Sequence, residues 1–240
     1  MEHDLSKLEM GIEELGIEIT REQLQKFDRY IALLIQWNKV MNLTAIVEPE
    51  EIIVDHFLDS LSILKEVKFE GTISIIDVGT GAGFPGVPIK IMKPDIQIVL
   101  LDSLRKRTEF LSALRDELQL EDIEIIHSRA EDLARKEEYR EHFDFALSRA
   151  VAPLNILAEY CMPFIKKGGL FISYKGPAAQ DEMEKARKAM DILGGKDACS
   201  IKDAYVPYSD KTRKLILVKK ITLSPKKYPR SPGKIKKSPL

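Results

Sequence analysis

Residues 73–86, from Ile73 to Gly86, constrain this chain more than any other stretch. A β-branched run ends in Asp77, breaks into Gly79, Gly81 and Gly83, and then enters an apolar segment. This pattern predicts a buried strand, a tight turn and the start of a helix. The missing Cβ atoms let a backbone turn sharply and come close to a ligand. The spacing G-x-G-x-G is not the dinucleotide fingerprint, because Phe84 stands where that pattern needs its third glycine. No Gly-Lys-Ser/Thr follows, so a Walker loop is excluded. The Asp77 carboxylate suits a polar or cationic ligand better than a phosphate. A structural glycine turn without a ligand is the plain alternative.

Upstream of the turn the chain reads as helical. Leu5, Leu8, Ile12 and Leu15 repeat at 3-4-3 spacing over 4–16, and Thr20 with Gln23 forms a capping box for a second helix running to about Asn38. A third helix is predicted over 50–66. It places His56 and Asp59 on one face, either as a base and its partner or as an ordinary helix-surface pair. Downstream, strands are predicted at 97–102, 123–127, 143–148 and 170–174, alternating with helices at 85–94, 104–118, 154–165 and 178–193. A hairpin of strands at 200–207 and 213–220 follows. Such alternation implies an α/β doubly wound sheet, mostly parallel, with one antiparallel strand near an edge. Three regions result: a helical extension (1–70), an α/β domain (71–221) and a basic, proline-rich tail (222–240).

The ends of successive strands supply the candidate site. Asp102 lies 19 residues past Gly83, near the spacing at which an acid meets ribose hydroxyls, with a surface turn aspartate as the alternative. Ala130 and Glu131, after the third strand, suit the edge of an adenine, unless Glu131 only decorates a helix start. Arg149 arrives at the ligand edge on the fourth strand.

Charge is unevenly distributed. Eleven Lys/Arg and no acid follow Asp210, so with a net charge of −1 overall the first 210 residues carry −12. A basic end on an acidic body suggests a nucleic-acid partner. The tail holds Lys226, Lys227, Arg230, Lys234, Lys236 and Lys237 among four prolines. It reads as extended or disordered until phosphates order it, or as a solubilising tail. Cys161 and Cys199 fit neither a disulfide framework nor a metal site, and no metal is expected. No apolar run approaches a membrane span, and a cytoplasmic protein, monomeric by default, is the expectation.

Asp77-x-Gly79-x-Gly81-x-Gly83 resembles the first motif of the S-adenosylmethionine-dependent methyltransferases. A more specific set lies around it: Trp37-Asn38-x-x-x-Asn42-Leu43-Thr44, His56-Phe57-x-Asp59-Ser60, Phe84-Pro85-Gly86, Arg149-Ala150 and Tyr174-Lys175-Gly176. Together these resemble the RsmG (GidB) family over nearly the whole chain. The resemblance implies a class I methyltransferase fold, S-adenosylmethionine as cofactor, and methylation of N7 of guanine-527 in the 530 loop of 16S rRNA, free or in a small-subunit particle. It implies cofactor contacts at Gly79, Phe84, Ala130, Glu131 and Arg149. Asn42, His56, Arg149 and Lys175 are the positioning candidates, none of them a general base. Removal of the chain beyond Ile221 is then expected to weaken RNA binding and spare the cofactor. A non-catalytic rRNA-binding or assembly factor and an NAD(P)-dependent oxidoreductase are the alternatives. The glycine spacing and the lack of a hydride-site constellation weigh against the latter.

Overall fold

The computed structural model describes residues 2–69 and 71–240. Met1 and Glu70, at the two ends of the expected helical extension, lie outside the described residues. Among the described residues seven strands form one sheet: β1 (Ser74–Val78), β2 (Gln97–Asp102), β3 (Ile123–His127), β4 (Phe143–Arg149), β5 (Ile165–Lys175), β6 (Cys199–Asp203) and β7 (Lys214–Lys219). Their order is β3-β2-β1-β4-β5-β7-β6. The first five are parallel, and β7 runs antiparallel to both its neighbours, one place in from the edge. The order reverses between β1 and β4. In such sheets the ligand crevice opens beyond the carboxyl ends of these two strands.

Alternation along β1 divides the core in two. Ile75 points into a cluster with Leu8, Phe27, Ile31 and Phe110, and Ile76 into one with Leu157, Phe164 and Met190. The helices α1 (Ser6–Glu14) and α2 (Arg21–Met41) therefore cover one face of the sheet, with α2 opened by the Thr20–Gln23 capping box. Helix α4 (Gly86–Met92) lies very close to the sheet. A Cβ on Gly86 would sit 2.7 Å from Leu100 and 2.8 Å from Asp77. The helices α5 (Arg105–Glu117), α6 (Ala130–Leu133), α7 (Leu154–Cys161) and α8 (Ala179–Leu193) complete the layers.

Three expectations need correction. The third helix, α3 (49–65), is not uniform: Ile52–Leu58 is wound as a π-helix. Its wider turn places Asp55, His56 and Asp59 around one cavity. Such turns recur at functional sites. The fifth strand, expected at 170–174, begins earlier, at Ile165, and carries Gly168 inside it. Gly168 takes φ +91° there, beside an irregular register between Phe143 and Phe145. The third correction concerns the tail, which is folded. Tyr228 and Ile235 are buried in the second core cluster, and Pro232–Lys237 forms a helix, α9. Composition suggested a chain without a core of its own, but this segment uses another element's core. Arg230 donates from Nε and Nη2 to both oxygens of Glu159, a fully buried carboxylate on α7.

Candidate functional site

The glycine turn is held from three sides. Asp77, wholly buried at the end of β1, accepts from Thr80 Oγ1 (2.7 Å) and from the backbone N–H of Gly86 (2.8 Å) on one oxygen. Asp102, at the end of β2, accepts from the N–H groups of Gly81 (3.0 Å) and Leu104 (2.9 Å) and from Arg107. Tyr30 of α2 donates its hydroxyl to the carbonyl of Ala82, which ties the helical extension to the turn. Gly79 needs to be glycine on two counts: its φ is +73°, and a Cβ would lie 2.5 Å from Val151. Gly83, at φ +97°, faces Tyr30 and Val87, so it serves packing and not a ligand.

A crevice of about 390 Å³ opens beyond β1 and β2. It is lined by Gly79, Asp102, Ala130, Glu131, Tyr160 and Lys236, among others. Acceptors from Asp102 and Glu131, apolar walls from Leu101 and Ile156, and a backbone approachable at Gly79 are the donor set a nucleoside requires. Gly79, Asp102, Ala130 and Glu131 are thus brought together as expected from the sequence. Asp77, Gly81, Gly83, Phe84 and Arg149 do not line it, and Arg149 lies in a second cavity. Asp77 is sealed behind the loop, and its second oxygen, Oδ1, has no hydrogen-bond partner among the described residues; burial pushes its carboxyl up to about 7. Phe84 lines neither cavity. It is stacked between Tyr30 (5.4 Å) and His56 (4.4 Å), under the Arg149 guanidinium.

A second cavity, about 430 Å³, lies across the segment that follows β4. Asp55, His56, Asp59, Arg149, Tyr174, Lys175 and Arg213 are among its lining residues. His56 and Asp59 are not a direct pair, because Arg149 stands between them. Its Nη1 donates to Asp59 Oδ2 and to the carbonyl of Asp55 (3.1 Å), and its Nη2 faces His56 Nδ1 at 3.2 Å. Since a guanidinium only donates, His56 Nδ1 is the acceptor and Nε2–H points to Thr44 Oγ1 at 2.8 Å. Burial, helped by the Arg149 charge, pushes the imidazole down to about 3. Arg213 donates to the other oxygen of Asp59 (2.9 Å), and Lys211 binds Asp55 (2.6 Å). Lys175 is held by Glu182 (2.7 Å) and the carbonyl of Ala152 (2.9 Å).

Asn42 does not join this group. It is exposed, caps α2 in the left-handed region (φ 48°), and lines neither cavity. The site residue in that loop is Thr44, fixed by a two-way clamp in which Asn38 Nδ2 donates to the Thr44 carbonyl and Thr44 N–H to Asn38 Oδ1, both at 2.9 Å. Asp55, Arg213 and Glu182 also belong to the site. No spacing signal could have found Arg213 or Glu182, since topology alone brings β7 and α8 to this edge. Among the tail residues, Arg230 is turned inward to Glu159 and not toward a polyanion. Lys226, Lys227, Lys234, Lys236 and Lys237 remain exposed.

Comparisons with known proteins bear on the family of the chain. Residues 23–205 match the family model GidB, described as rRNA small subunit methyltransferase G. Ribosomal RNA small subunit methyltransferase G of Alkaliphilus metalliredigens is 48% identical over 235 residues, covering 97% of each chain. Its counterpart in Lachnoclostridium phytofermentans is 47% identical over 237 residues, covering 99% of this chain and 98% of the relative. Among solved structures, a chain of the Haloferax volcanii complex between the Trm112 methyltransferase activator and a protein assigned as a methyltransferase superposes with TM-score 0.58 at 14% identity. It covers 79% of this chain and 98% of that one. The [4+2]-cyclase SpnF matches at TM-score 0.52 and 14% identity, over 68% and 81% of the two chains. A cyclase on this sheet shows that the architecture alone does not fix the reaction. The sequence relatives extend over almost the full length and include both cavity walls, and on that ground the chain belongs to the rRNA small subunit methyltransferase G family.

Proposed function

We propose that this protein methylates 16S rRNA with S-adenosylmethionine as donor, and that its acceptor is N7 of guanine-527 in the 530 loop. The observation that carries the reading is the meeting of two cavities at one short segment. Arg149 and Ala150 line one of them, and Val151, Ala152 and Pro153 the other. The nucleoside-type crevice suits the donor, which when bound supplies a methyl group on a sulfonium. Gly79, Asp102, Ala130 and Glu131 would hold it. The second cavity, with Arg149, Lys175, Arg213 and Lys214 around it, suits a nucleotide base delivered on a phosphate backbone.

Guanine N7 has an in-plane lone pair and no proton to remove, so the chain needs no general base. The site is consistent with that. His56 is neutral, and both its ring nitrogens are engaged by Arg149 and Thr44. Arg149 cannot act as a base. The segment after β4 reads Arg149-Ala150-Val151-Ala152-Pro153, without the Asp/Asn-Pro-Pro-aromatic set of exocyclic-amine chemistry. The work left for these residues is to orient: Arg149 fixes the π-turn of α3 against the end of β4, and Lys175 fixes the 152–154 segment through Ala152 and Glu182. Such positioning can contribute roughly 7–11 kcal/mol to a transfer between two bound partners.

The test is base-resolved mapping of N7-methylguanine in 16S rRNA from cells lacking the protein and from the same cells regaining it. Position 527 is expected to lose and recover its methyl group. Methylation that persists without the protein, or returns at another base, sinks the assignment.

A further inference from the structure

The folded tail reaches the crevice assigned to the donor. Lys236, near the end of α9, is one of the residues lining it, alongside Glu131, Ile156 and Tyr160. Resting on the function proposed above, we propose that α9 is the outer wall of the donor crevice and that Lys236 contacts the nucleoside half of the bound donor.

Three observations carry this. The first is anchoring. Arg135 donates to the carbonyl of Pro229 (2.6 Å), Arg140 to those of Tyr228 and Ser224 (2.9 Å each), and Glu141 accepts from Ser224 N–H (2.6 Å). With Arg230 on Glu159 and Ile235 fully buried, residues 224–235 are fixed from end to end. Fixing them sets the place of Lys236 relative to α7, which supplies Ile156 and Tyr160 to the same crevice. The second is that this lysine is not needed to balance a neighbour. Asp102 has Arg107, and Glu131 has Arg129 at 3.8 Å. Lys236 has no hydrogen bond or ion pair among the described residues. The third is chemical: an ammonium is donor-only, and the ring nitrogens and ribose oxygens of a nucleoside are acceptors. Lys226, Lys227, Lys234 and Lys237 are exposed, as Lys236 is, but do not line this crevice, and they remain for RNA phosphates.

A donor contact by Lys236 departs from the expectation that removal of the chain beyond Ile221 spares the cofactor. Calorimetric binding to the full-length protein and to Lys236→Ala, Lys236→Glu and Lys234→Ala variants decides it. The probes are S-adenosylhomocysteine and 5′-methylthioadenosine, which lacks the amino-acid half. Lys236→Ala is expected to weaken both ligands by a similar factor, roughly three- to tenfold, the range of one hydrogen bond. Lys236→Glu should weaken them further and Lys234→Ala leave them unchanged, with all melting temperatures alike. Lys236→Ala binding within twofold of wild type while its RNA affinity falls would overturn the inference and leave the proposed function standing. Wild-type protein that binds neither ligand would overturn both.

Discussion

The Asp77→Asn substitution tests how the glycine turn is built. In the folded chain the Asp77 carboxyl is pushed up to about 7 from 3.8, first by burial and against the hydrogen bonds from Thr80 and Gly86. The sign follows directly. Between pH 4 and 7 the folded state holds a proton that the unfolded state has released, so stability falls as pH rises and levels off above pH 7. The slope is about 1.4 kcal/mol per pH unit and tapers as pH nears 7, which gives about 2 kcal/mol between pH 5 and pH 7. An asparagine keeps an acceptor for Thr80 and Gly86 and places its amide nitrogen where Oδ1 has no partner among the described residues. That unsatisfied donor costs about 1–3 kcal/mol at every pH. The absolute difference between the two proteins is therefore not diagnostic, but its pH dependence is. Urea unfolding of both at pH 5, 6, 7 and 8 should show the variant gaining on wild type by about 2 kcal/mol up to pH 7 and little more beyond it. A difference that stays flat across this range, or moves the other way, refutes the reasoning.

Two further outcomes follow from the second cavity. Arg149→Ala leaves the buried Asp59 with Arg213 alone and frees two carbonyls and His56 Nδ1, so it should destabilise the fold by about 3 kcal/mol in urea unfolding. At saturating donor and RNA, the single-turnover rate of methyl transfer should stay flat from about pH 5.5 to 8, because His56 is held near 3. A bell shape that vanishes in His56→Ala would mean the imidazole moves a proton.

Some features were legible in the sequence because they are local. Strand, turn and helix around Gly79 follow from a β-branched run meeting glycines, and the Thr20–Gln23 cap from spacing alone. The parallel order of the sheet follows from the alternation of periods. Ala130 and Glu131 lie at the crevice because the loop after a parallel strand opens on the same edge as its neighbours. What the tertiary structure decided are the partners. His56 and Asp59 share a helical face, but only the fold inserts Arg149, 90 residues later, between them. Asp77 ends a strand as expected, yet the packing of α4 against the sheet seals it from the crevice. The tail shows the difference most clearly. Its lysines and prolines specify no core, since the carboxylate that captures Arg230 and the apolar floor beneath Ile235 belong to α7. A sequence states which groups a chain carries. Whether a buried charge binds a ligand or braces a loop depends on what the folded chain places within about 3 Å of it.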